Sequence, residues 1–284
     1  MLLTLLWTAA GSASAAGEEA VRLQLAADTV DPVAGGGGYL GVLIRPQPGW
    51  MVAWKYGGDL GEGTHIRFEV GPGLVTGDPL WPLPEVVRRD DGELGYGYRG
   101  PFVVAVPVVP LKAPESVETI RVRVVVEYTA CRNECMHERR VLEGAFPMTR
   151  AIVREAAPAF AHWRRSLPPP EDDLESVPPF LVERSGGIAR GQGWGAMSVW
   201  LHWPRNPGRV QWIPDPDPGV EVRDVRVSGR GKTTRIDLTV EAASLEGGVS
   251  LRSLVVANSP RGRIAYRLWL PVAVKGPARP RSSR

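Results

Sequence analysis

The chain has 284 residues, enough for two hydrophobic cores, and its 33 glycines and 27 prolines interrupt it too often for long helices. Its 34 basic and 31 acidic residues leave a formal charge of +3, too small and too scattered to line a nucleic-acid groove. Beyond the apolar start, no stretch approaches the roughly 18 apolar residues of a membrane span.

Leu2 to Ala10 is apolar and is followed by small residues from Gly11 to Ala16. This reads as a signal peptide over residues 1–15, cut after Ala13-Ser14-Ala15, although no basic residue precedes the apolar run. The alternative is a short buried core segment. No cysteine follows the run to take a lipid, so the mature chain is expected to be exported and soluble, in a compartment where disulfides persist.

Residues 16–150 read as one β domain. Val21 to Leu25, Leu40 to Ile44, His65 to Val70, Phe102 to Val106 and Ile120 to Tyr128 alternate or carry β-branched runs of strand length. Val141 to Phe146 can pair with the last of these. Gly and Pro clusters separate the segments at the spacing of a sandwich. Residues 151–180 change character: Ile152, Val153, Ala156, Phe160 and Trp163 recur at helical spacing, with Pro158 able to kink or restart the helix. Pro168-Pro169-Pro170 ends it, and a Pro-rich acidic linker follows. Residues 181–274 again read as β, with strands over Ala196 to Trp203, Val220 to Val227, Thr234 to Val240, Leu251 to Val256 and Ile264 to Leu270. The basic residues 275–284 read as a disordered tail. The fold class expected is therefore mainly β, a sandwich, a short helix and a second sandwich-like domain.

Cys131 and Cys135 are the only cysteines, and they stand where one strand turns into the next. A bridge over so short a loop removes little entropy from the unfolded chain, about 2 kcal/mol against about 4.7 for a loop of about 100 residues. The pair therefore reads as a redox couple, with both thiols near the rim and open to a partner, in preference to a structural clip. Arg132 is offset by Glu134 and no helix start is evident at the motif, so access is expected to gate exchange more than thiolate activation does. A Cu(I) site drawn from Cys131, Cys135, Met136 and His137 is the competing reading. Packing of Met136 and solvent exposure of His137 are the plainer roles. No cofactor is expected.

The succession Pro48-Gly49-Trp50, Trp54-Lys55, Gly58-Asp59-Leu60-Gly61, Trp81-Pro82-Leu83-Pro84, Gly95-Tyr96, Val106-Pro107 and Tyr128-Thr129-Ala130-Cys131 with Cys135 resembles the periplasmic N-terminal domain of the thiol:disulfide interchange protein DsbD. It is most similar to the ScsB variant, where three residues also separate the cysteines. The resemblance covers about residues 20–150. It implies an immunoglobulin-like sandwich that takes electrons from a membrane-embedded DsbD/CcdA-like thiol transporter and passes them to periplasmic thioredoxin-like or disulfide-bearing proteins. It assigns the mixed disulfide to Cys135 and the resolving role to Cys131. It places a cap segment over Asp91, Glu93, Leu94 and Tyr96, with Trp50 and Trp54 near it. The chain departs from the pattern in having Met136 where a proline is usual, and in lacking a membrane domain, which calls for a separate membrane partner.

Elsewhere, Gly231-Lys232-Thr233 reads as a hairpin turn and not a phosphate loop, because Arg226 stands where the opening glycine belongs. His65, His162 and His202 are assigned structural roles, and Asp59 that of a turn former. Trp194, Trp200, Trp203 and Trp212 read as core of the second domain or as a docking surface.

Overall fold

A computed structural model describes residues 19–28, 38–88, 93–111, 119–147, 157–170, 177–189, 191–259 and 262–275. The expected signal peptide, Asp91, Ile152, Val153, Ala156, most of the acidic linker and the tail beyond Lys275 lie outside the described residues.

The first part contains β1 (Val21–Asp28), β2 (Gly38–Pro46), β3 (Met51–Gly58), β4 (His65–Val70), β5 (Leu74–Thr76), β6 (Glu85–Arg88), β7 (Leu94–Tyr98), β8 (Phe102–Pro110), β9 (Thr119–Cys131) and β10 (Cys135–Pro147). They form two sheets, β1-β2-β8-β5 and β10-β9-β3-β7-β6, with β4 also paired to β9. The inner faces meet in one core: Leu40, Val42 and Ile44 of β2 and Val104, Val106 and Val108 of β8 face Val122, Val124, Val126 and Tyr128 of β9. Each set recurs every second residue, the spacing that puts side chains on one face of a strand.

The sheet β1-β2-β8-β5 is buried on its outer face as well. Ala26, Leu43, Val103 and Ala105 pack there against Phe160 and Trp163 of α1 (Ala157–Ser166). Burial on both sides explains the unbroken apolar run of β8. A Cβ on Gly41 would stand 3.2 Å from the Phe160 ring, so the glycine makes room for it. Pro158 lies in the first turn of α1, where its missing N–H costs no helical hydrogen bond. The helix is pinned by Trp163 Nε1 donating to Leu80 O at 3.2 Å and by an ion pair from Arg164 to the buried Asp28.

The second part holds β11 (Leu181–Gly186), β12 (Ile188–Ala189), β13 (Trp194–His202), β14 (Arg209–Pro214), β15 (Val220–Arg230), β16 (Thr233–Ala242), β17 (Val249–Ser259), β18 (Gly262–Val272) and β19 (Val274–Lys275). The sheets are β11-β13-β16-β15 and β14-β17-β18, plus the short parallel pair β12-β19. Ile236, Leu238 and Val240 of β16 pack with Val199, Leu201, Trp203, Trp212, Leu251 and Leu270 in a second core. Gly231, with φ 61°, forms the β15–β16 turn with Lys232. Of the four tryptophans, Trp203 and Trp212 are buried, Trp200 is half-buried and Trp194 is exposed. The protein is mainly β, with antiparallel pairing in all the larger sheets and one short described helix.

Candidate functional site: the hairpin disulfide

Strands β9 and β10 form a long antiparallel hairpin in unbroken register from Thr119↔Pro147 to Cys131↔Cys135. Three residues close it, with Arg132 N donating to Glu134 O at 3.1 Å. Register is fixed because a slip by one residue would turn Val122, Val124, Val126 and Tyr128 away from the core. The same alternation sends the odd-numbered cysteines to the opposite, outer face. They lie directly across from one another, Cα to Cα 4.0 Å, with the two sulfurs bonded.

The two sulfurs are not equivalent. Cys131 is 7% exposed, whereas Cys135 is open to solvent. Sheet order produces the difference. On its far side Cys131 meets β3, where Met51 is its register partner; β10 is the outermost strand of its sheet among the described residues, so Cys135 has no described strand beyond it. The expectation that both thiols stand open therefore holds for one of them.

A small cover lies over Cys131. Met51 and Leu60 are buried with it, and Val87 of β6 packs against the group. The floor under the cover is glycine. A Cβ on Gly95 would stand 2.4 Å from Leu60 Cγ, and one on Gly97 would stand 2.7 Å from Met51 Cε. Strand β7 alternates these glycines with Tyr96 and Tyr98, which both belong to the first core. One face thus fills the sandwich while the other leaves a trough in which Leu60 and Met51 lie. The turn carrying Leu60 is fixed to β7: Asp59 N donates to Leu94 O at 3.0 Å, and Asp59 Oδ2 accepts from Leu94 N at 2.7 Å. Gly58, at φ 63°, permits that approach.

Around the hairpin tip, the Arg132 guanidinium lies over the Trp50 ring, 5.4 Å from its centroid. His137 Nδ1 is within 3.3 Å of Thr129 Oγ1 and 3.7 Å of Glu62 Oε2. Further along the hairpin, burial pushes the Tyr128 hydroxyl up, and its bond to Glu138 adds to the shift. Glu138 is held below the usual carboxylate range: burial alone would raise it, but bonds from Tyr128 and Arg140 outweigh that.

Trp50 is half-buried at the tip. Trp54 and Tyr96 lie in the first core, and the Tyr96 ring stacks on Tyr56 at 6.0 Å. Leu94 packs against both cores, and Glu93 is exposed just before it. The cover residues Met51, Leu60 and Val87 were not singled out from sequence for that role. The alternation Leu94-Gly95-Tyr96-Gly97-Tyr98, aromatic on one face and blank on the other, was the available signal. Met136 packs against the first core, while Cys135 and His137 are exposed. Among the described residues no three His, Cys, Asp or Glu side chains group to hold an ion.

Fold and site together define a class: immunoglobulin-like β-sandwich architecture with a disulfide at a hairpin tip, one sulfur covered and one open. The chain shares its fold with the N-terminal periplasmic domain of ScsB from Proteus mirabilis, at a TM-score of 0.62 and 13% identity over 92% of this chain and 97% of that one. A structure of the complex between the DsbD N-terminal and PilB N-terminal domains from Neisseria meningitidis also aligns, at a TM-score of 0.27 and 16% identity over 44% of this chain and 81% of that one. No family model matches the sequence, and no curated protein does.

Proposed function

We propose that the chain is an exported, soluble thiol-disulfide exchange protein of the periplasm. It relays electron pairs through Cys131 and Cys135 between a membrane-embedded thiol transporter and thioredoxin-like or disulfide-bearing proteins. The observation that carries this reading is the inequality of the two sulfurs at an accessible edge. Exchange needs in-line approach of a thiolate to one sulfur and departure of the other, so an open Cys135 beside a covered Cys131 supports Cys135 as the attacked sulfur and Cys131 as the departing one.

In the accepting direction, a donor thiolate attacks Cys135 Sγ, the S–S bond breaks, and its electron pair leaves on Cys131, which takes a proton. A second donor thiolate attacks the donor sulfur of the mixed disulfide and releases Cys135. The donor dithiol becomes a disulfide, and two electrons rest on this chain. In the giving direction, Cys135 thiolate attacks a client disulfide. Cys131 thiolate then attacks Cys135 Sγ, expels the client thiolate and restores the bond. Among the described residues no helix is long and apolar enough to cross a membrane.

Two variants test the reading. Cys131→Ala should accumulate a covalent complex with a disulfide-bearing partner through Cys135, resolved on non-reducing gels, and Cys135→Ser should form none. Equal loss of folding in both, with no trapped species, would instead mark a structural clip. So would a reduction potential below about −300 mV, as against the roughly −200 mV typical of exchange proteins.

A further inference from the structure

We propose that the C-terminal β region is a clamp that holds the cover on Cys131, acting through Tyr56 of β3 and Leu94 of β7 as positioning residues. This inference assigns a role to the second β region and rests on the exchange reading only for its biological use.

The cover residues sit on elements that the second region grips. The Tyr56 hydroxyl donates to Val222 O at 2.9 Å and accepts from Val222 N at 3.2 Å. One phenol thereby satisfies both backbone groups of a β15 residue at the place where the β15–β16 register shifts. Beside it, Lys55 Nζ pairs with Asp215 Oδ2 at 2.7 Å, and Asp215 is 8% exposed. Ile213, Leu254 and Val256 of the second region extend the first core. Leu94 reaches the other way and packs against the second core.

Each grip leads to the sulfur in one or two steps. Tyr56 and Met51 are on the same strand. Leu94 is bonded through its own N and O to Asp59, the residue before Leu60. Leu94 is followed by Gly95, on which Leu60 rests. Strand β6, which carries Val87, pairs with β7 from Arg88↔Leu94 onward. Moving β7 or the end of β3 therefore moves Leu60, Met51 and Val87 together.

The seam is incompletely filled at this point. A cavity of about 370 Å³ opens there, with Val86, Arg88 and Leu94 on one wall and Trp212, Val227 and Gly229 on the other. A loosely packed contact at Leu94 and a specific polar contact at Tyr56 make a joint that can part locally without dismantling either core.

The test compares Tyr56→Phe, which removes the hydroxyl and keeps the ring, and Leu94→Ala with Val199→Ala, a truncation inside the second core on a strand that does not pair with β15. All are made in the full chain, with the disulfide intact. The readouts are the second-order rate of reduction by dithiothreitol in water, and the cysteine that carries the adduct when a monothiol is trapped. Wild type should carry the adduct on Cys135. The interface variants should be reduced about tenfold faster, with adduct also on Cys131, as expected for a joint that loses either the two Tyr56 bonds to Val222 or the apolar contact of Leu94. Val199→Ala should leave the rate unchanged at the same loss of thermal stability. If Leu94→Ala does not fold, Tyr56→Phe alone decides. Unchanged rates in the interface variants, or equal acceleration in Val199→Ala, would overturn the clamp. Dithiothreitol rates need no protein partner, so inertness of the wild type toward protein thiols would sink the relay and leave the clamp standing on its own measurement.

Discussion

Alanine at Gly95 should open the cover while leaving the sandwich intact. Gly95 does not occupy a left-handed conformation, so an alanine there meets no backbone penalty and gains roughly 0.4–1 kcal/mol by restricting the unfolded chain. Its methyl would stand 2.4, 2.7 and 2.9 Å from Leu60 Cγ, Cδ1 and Cδ2. Those atoms are the far end of one side chain on a turn, so Leu60 gives way, at a cost of about 1–3 kcal/mol for overpacking. The net loss should be about 1 kcal/mol, small enough to keep the protein folded, with Leu60 displaced from Cys131. Gly97 provides the contrast. A Cβ there would stand 2.3 Å from Val52 O, a backbone atom of the paired strand that cannot swing aside, so Gly97→Ala should cost more than about 3 kcal/mol and yield little folded protein. Gly100→Ala, with no heavy atom near the added methyl, is the blank. The assay is urea unfolding together with dithiothreitol reduction. Gly95→Ala should be reduced several-fold faster than wild type or Gly100→Ala. The trough argument fails if Gly95→Ala is reduced at the wild-type rate, or if Gly97→Ala is as mild as Gly95→Ala.

Two further outcomes follow from the same geometry. Reducing the disulfide removes a loop constraint of about 2 kcal/mol, which lowers the melting temperature by roughly 4–8 °C and leaves the β circular dichroism signal in place; unfolding on reduction would show the bridge to be structural. Burial, the largest cause in each case, raises the hydroxyl pKa of Tyr56, Tyr96, Tyr98 and Tyr128. A raised folded-state value means that the stabilising contribution is complete below about pH 10 and is lost as pH climbs past it, because the unfolded chain ionises first. Urea midpoints should therefore fall steadily from pH 9.5 to about pH 11.5 in the oxidised protein, and a flat profile would contradict the burial of these rings.

Segments with a single structural role were legible in the sequence. The alternation of β16 and the continuous apolar run of β8 each follow from how many faces of the strand are covered, and the run of helical spacing around Phe160 and Trp163 located α1. Strand β3 was not legible, because Met51, Val52, Ala53 and Trp54 are all buried, two faces at once, and so carry no alternation. Strand β7 was masked by its glycines, which argue against a strand when read locally. At the site, the cysteine pair and its place at a strand turn could be read directly, because both depend on neighbours in sequence. The cover could not, because Leu60 and Val87 reach Cys131 only through the pairing of β3 with β7 and β9.

With Cys135 as the attacked sulfur, as proposed, the burial of Cys131 also sets the barrier to reduction. When a thiolate strikes Cys135, the departing Cys131 sulfur receives a negative charge while packed against Met51 and Leu60, whose side chains carry no hydrogen-bond donor. A charge formed in such contacts is poorly solvated, so the closed cover raises the barrier to reduction even though Cys135 is fully reachable. Small thiols that touch only the open sulfur meet that barrier. A protein partner broad enough to press on the Leu60 turn or the β6–β7 edge can lower it by admitting water or a proton donor to Cys131. Selectivity for protein partners over stray thiols would then lie in the mobility of the cover more than in access to the reactive sulfur. The trough of Gly95 and Gly97 supports such movement, because a cover resting on glycine can slide without breaking the strand beneath it.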